Sequence, residues 1–120
     1  MQSFIKYINM CDFRTLHLDA KLGYVLQCIH CNDITIGFGI LTFSRSLDEF
    51  HMMVQDVHEC HDFHKSMGYE PETRNIPFWQ LNECSCVTLS LNELHQLGEL
   101  LDLASARLML DQLLLNLPEN

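Results

Sequence analysis

The chain has 120 residues, of which 48% are apolar and 19% charged, a composition that folds into one domain with a real core and excludes disorder. Seven basic residues stand against 16 acidic ones, a net charge of −9, which repels both phosphate backbones and anionic membrane surfaces. The expectation is a single cytoplasmic domain over residues 1–120 with no nucleic-acid or membrane partner.

The first residues, MQSFIKYINMCDFR, carry Lys6 and no apolar run longer than two residues, which is not a secretory core. Arg14–Asp19 alternates and predicts a strand, followed by a turn at 20–23 and a second strand at Tyr24–His30. Cys31-Asn32-Asp33 supplies turn chemistry. The β-branched run Ile34–Phe43 predicts a third, long strand, with Ile34, Ile36, Phe38 and Ile40 on one face. Gly37 and Gly39 leave the other face bare, which calls for close approach by another element or for a bulge.

Ser46-Leu47-Asp48-Glu49 is a capping-box sequence and opens a helix whose buried face is Leu47, Phe50, Val54 and Val57. The polar stretch His61–Asn75, with Gly68 and Pro71, reads as a long surface loop. Ile76–Leu81 and Cys84–Leu89 read as a hairpin about Asn82-Glu83, with Pro77 placing its strand at an edge. Ser90-Leu91-Asn92-Glu93 repeats the capping box and starts a helix running to about Leu117, closed by Pro118. Thr42–His51 and Thr88–His95 are faintly alike, each reading as a strand that leads into a capped helix. The fold class is therefore α+β: about five mostly antiparallel strands and two helices in the order ββ-β-α-ββ-α.

The last helix carries leucines on nearly every side after Leu108: Leu110, Leu113, Leu114, Leu115 and Leu117. Charged residues 102, 107 and 111 interrupt it, so no run of about 18 apolar residues spans a bilayer. A helix apolar all round must be covered all round, and one small sheet is too narrow for some 40 Å of helix. A homodimer through this helix is expected.

The chemistry-bearing residues are cysteines and histidines. Six cysteines without an export signal predict reduced or metal-bound thiols rather than disulfides. Cys28-Ile29-His30-Cys31 has the spacing of a zinc-binding turn, with Cys60 and His64, four apart on one helix, as the candidate remaining ligands of a Zn²⁺ site. A straight strand from Cys31 to Ser46 would keep those two pairs about 20 Å apart unless it bends sharply at Gly39. Thiol redox chemistry is the weaker reading, because a β-strand and Asp33, not a helix N-terminus, follow the second cysteine. Cys84 and Cys86 share one strand face and read as core residues, and buried thiols are an alternative for Cys28 and Cys31 as well. In 58-HECHDFH-64 the place of the second histidine of a metalloprotease helix is taken by Asp62, and the cluster reads as a solvated last helical turn. No nucleophile elbow, P-loop or dinucleotide motif is present, and Gly37-Phe38-Gly39 sits within a strand pattern.

The series Cys28-x-x-Cys31, Ile34-x-Ile36-x-Phe38-Gly39 and a Ser-x-x-Glu-Phe helix start resembles a group of small bacterial proteins of unknown function. In that group C-x-x-C precedes a strand ending Phe-Gly-Asn and a Leu-rich C-terminal helix follows, beginning here at Leu91-x-Glu93-Leu94. The likeness runs from about Cys28 to Leu115, with Ile40 where the group has Asn. It implies an architecture and no activity. The leading functional expectation is a non-catalytic binding or scaffolding module acting as a homodimer; a zinc protein with Cys28 and Cys31 as ligands is the alternative, and a thiol redox enzyme the third.

Overall fold

The computed structural model describes residues 12–117, so the N-terminal reading and the stop at Pro118 lie outside the described residues. Within them the order is β1 (Phe13–Asp19), β2 (Gly23–Cys28), β3 (Ile34–Phe38), β4 (Leu41–Arg45), α1 (Leu47–Ser66), β5 (Ile76–Asn82), β6 (Ser85–Leu89) and α2 (Leu91–Leu115). The strands form two antiparallel sheets, β1-β2-β3-β4 and β5-β6. An α+β fold with a long C-terminal helix is what the pattern calls for.

Three boundaries differ from the sequence reading. The long strand Ile34–Phe43 is in fact a hairpin: β3 ends at Phe38, Gly39-Ile40 turns, and β4 returns so that Arg45 pairs with Ile34. Gly39 has φ +59, a left-handed value that only glycine adopts freely, at the first position of a two-residue loop. Ile40 is fully exposed at the tip. Apolar alternation thus continues through a turn, which is why the run reads as one strand. The first helix does not stop near His61; it continues to Ser66, so the loop is only 67–75. Cys84 and Cys86, expected in the core, are both exposed, because β6 buries only its far end at Leu89.

Both helix starts are built as the sequence indicates. Ser46 Oγ accepts the Glu49 N–H and Glu49 accepts the Ser46 N–H, and Ser90 and Glu93 repeat the exchange. Each box satisfies two backbone donors that the helix itself leaves open.

The core lies between one face of the four-stranded sheet and the two helices. Leu16, Val25, Ile34, Ile36 and Phe38 meet Phe50, Met53 and Val57 of α1 and Leu94, Leu97, Leu100, Leu101 and Ala104 of α2. On the opposite face of β3 the expected close approach is made by Tyr24. Its ring covers Gly37 so tightly that a Cβ there would stand 2.3 Å from Cζ, and its hydroxyl lies 3.2 Å from Thr42 Oγ1. The β5-β6 hairpin joins the larger sheet through rings, Trp79 lying edge-on to Phe43 at 4.7 Å and Phe78 edge-on to Trp79 at 4.8 Å.

Two substitutions test this account. Leu97→Ala should lower unfolding stability by about 3 kcal/mol, since its site is closed on all sides. Gly39→Val should lose roughly 1 kcal/mol through its backbone angle, as nothing stands within 4 Å of the added Cβ. Urea unfolding followed by circular dichroism measures both.

Candidate functional site

Cys28 ends β2 and is fully buried, while Cys31 is exposed in the turn that follows. That turn is closed by backbone bonds, from Cys28 N–H to the Asp33 carbonyl and from Asn32 N–H to the Cys28 carbonyl, with Asn32 left-handed at φ 66. Cys60 and His64 are indeed neighbours on α1, with Sγ and Nδ1 3.6 Å apart, but His64 Nδ1 is also 2.7 Å from the Cys60 carbonyl oxygen and is held there. Burial pushes the Cys60 thiol above its usual pKa, and the Asp56 carboxylate adds to the shift.

The structure does not bring the two pairs together. The hairpin at Gly39 returns Ser46 to the Cys31 end of β3, the sharp bend that would close the gap. The continuous helix then carries Cys60 about 20 Å away along α1. Among the described residues no group of three or more His, Cys, Asp or Glu side chains is placed to hold a metal ion. The 58–64 cluster lies wholly within α1 rather than at a helix-to-loop junction, and half of it faces α2. His58 Nε2 pairs with Asp102 at 2.8 Å, and the His61 ring stands 5.5 Å from that of His95, which itself pairs with Glu99. These are contacts of a helix–helix seam.

The surface that stands out is the far half of α2. The helix is roughly 37 Å long, and its burial stops at Ala104 with Leu108 half-buried beyond it. Polar anchoring then takes over. Arg14 on β1 pairs with Asp111, which Arg107 also approaches at 3.1 Å, and Arg14 Nε donates to the buried Gln27 at 3.0 Å. The Arg14 guanidinium, helped by Arg107, holds the Asp111 carboxyl below the usual carboxylate range. Outward of this anchor Leu103, Leu110, Leu113 and Leu117 are all more than half exposed. With exposed Ala106 they recur at spacings of three, four, three and four, an a/d pattern carried on the helix by Leu103, Ala106, Leu110 and Leu113 and continued just past its end by Leu117. Leu114 and Leu115 edge a shallow depression of about 750 Å³ floored by Ile29, Leu47 and Leu108.

A second surface lies between α1 and the β5-β6 hairpin, an open groove of about 610 Å³ walled by Phe78 and Trp79. Sequence reasoning missed it because Phe43, Trp79 and α1 meet only through tertiary packing. The separate apolar runs were its only trace.

The chain matches no family model, no curated protein and no solved structure. Among the described residues no helix is long and apolar enough to cross a membrane.

Two measurements follow from these environments. At pH 8 Cys60 should alkylate roughly three- to tenfold more slowly than exposed Cys84 and Cys86, resolved by peptide mass spectrometry. For Asp111 the folded carboxyl titrates lower than the unfolded one. Its contribution is then full above the unfolded value near about 4 and fades as pH falls through the folded value. Asp111→Asn should accordingly lower the urea midpoint at pH 7, and the difference from the parent should shrink as pH falls below about 4.

Proposed function

We propose that the protein is a non-catalytic binding and scaffolding module that works as a homodimer joined through the last turns of α2. The observation that carries this is the exposed stripe of Leu103, Ala106, Leu110, Leu113 and Leu117. Leaving so many leucines in water is unfavourable, on the order of 1 kcal/mol for each half-exposed side chain. A second copy laying the same stripe alongside buries both sets at once, and the 3-4 spacing keeps the seam facing its partner along the helix.

The structure of the single chain supports this in a second way. Two heptads are too short to fold as free helices, because helix nucleation is unfavourable and few bonds repay it. Here the first four turns of α2 are already locked into the core and the Arg14–Asp111 pair ties down the sixth. The stripe is therefore presented as formed helix, and association does not have to order it.

In light scattering after size exclusion the parent should show twice the 14.0 kDa chain mass. Leu110→Lys/Leu113→Lys, both at exposed positions, should show one chain mass with an unchanged far-ultraviolet spectrum. A parent that runs as one chain at 100 µM would end the proposal.

A further inference from the structure

The groove between α1 and the β5-β6 hairpin has a wall chemistry that selects its occupant. The side of α1 that lines it borders the side that packs on the core, meeting it at Met53 and Cys60. Glu49, Met52, Asp56, Glu59 and Phe63 follow one another at helical spacing along about 21 Å. Met52 and Phe63 are 63% and 59% exposed, large apolar groups left in water on a helix whose other face is sealed. Facing them are half-buried Phe78 and Trp79. The three carboxylates stand among these groups. Glu49 is occupied by its cap, but Asp56 and Glu59 meet no lysine, arginine or histidine among the described residues. The only base on the lining, Arg45, lies at one end over the Phe43 ring and donates to the Ser44 carbonyl.

We infer that this groove is the docking site for a basic amphipathic helix of a partner protein. Its apolar face would enter between Met52, Phe63, Phe78 and Trp79, and its lysines or arginines would reach Asp56 and Glu59. Methionine adapts its shape to different apolar partners, aromatic rings accept the stems and charges of basic side chains, and the unmatched carboxylates fix the sign of the ligand. An acidic or neutral helix would desolvate Asp56 and Glu59 without replacing their water. This names a partner class for the binding module proposed above, and it does not depend on the dimer seam, which uses α2 alone.

Trp79 is the only tryptophan in the chain and lies on the groove wall, so its emission reports occupancy directly. The full-length protein is titrated with a 14-residue Leu/Lys amphipathic peptide and with the same peptide carrying Glu for Lys. The Lys peptide should produce a saturable blue shift of Trp79, and the Glu peptide none. Asp56→Lys/Glu59→Lys should weaken the Lys peptide at least tenfold, and the gentler Asp56→Asn/Glu59→Gln should weaken it about threefold. Met52→Ser should do likewise without any change of charge. Glu83→Lys/Glu99→Lys, an equal charge change away from the groove, should alter binding less than twofold. Equal weakening by the two Lys pairs would reduce the effect to attraction by net charge and overturn the proposal, as would a titration that leaves Trp79 unmoved. A shift that follows protein concentration without peptide would assign the groove to a second copy and overturn it as well. Light scattering on the same samples reads the α2 dimer separately, so either proposal can fail alone.

Discussion

The apolar stripe of α2 seals against the sheet and α1 from Leu91 to Ala104 and then outruns what it covers. A four-stranded sheet of five- to seven-residue strands is about 20 Å deep, while 25 helical residues extend nearly twice that far. Every other feature adjusts to this mismatch. Arg14, Gln27 and Asp111 form a polar clamp where the apolar packing stops, and the clamp fixes the direction in which the remaining turns project. Beyond it Leu113, Leu114, Leu115 and Leu117 are each more than half exposed. That one helix is thus core at one end and surface at the other, and the change falls within two turns.

The turn at Gly39 has an equally wide reach. By folding a would-be long strand back on itself, it brings Arg45 beside Ile34 and launches α1 from the same end of the sheet where the Cys28–Cys31 turn lies. The helix must then run the length of the sheet, which separates Cys60 and His64 from that turn and lays their side of the helix along the β5-β6 hairpin. The metal constellation suggested by spacing is taken apart, and the groove is made, by the same two glycine-turn residues. Cys60 ends up lining the groove with its thiol pushed upward by burial and by the Asp56 carboxylate.

The excess of acid is distributed unevenly in its effects. At the capping boxes and at Asp111 carboxylates are used up by backbone donors or arginines, His58 pairs with Asp102 across the α1/α2 seam, and Glu99 pairs with His95 within α2. On the far side of α1 Asp56 and Glu59 have no ion-pair partner among the described residues, and they fall where the apolar side chains of Met52 and Phe63 are also exposed. Charge and grease left over in the same place is a combination that a monomer in water has no reason to keep.

The sequence by itself determined what depends on neighbours along the chain. Ser46–Glu49 and Ser90–Glu93 fixed both helix starts, Asn82-Glu83 marked the second hairpin, and the antiparallel α+β class followed from short alternating runs separated by turn residues. It also placed leucines on nearly every side of the end of α2. Where it failed, the deciding energy was long-range. Ile40 continues the alternation of β3, so only the pairing of Arg45 with Ile34 reveals the turn at Gly39. The polar residues of His61–Ser66 stay helical because His61 and His64 pack against His95 and Tyr69, partners 34 and five residues away. Cys84 and Cys86 alternate as core residues do, yet their hairpin is anchored through Ile76, Phe78, Trp79, Val87 and Leu89, so the turn end that carries them meets water. Spacing specifies which residues can share a face; which face is buried is settled only when the elements pack and the apolar area they can hide is finite.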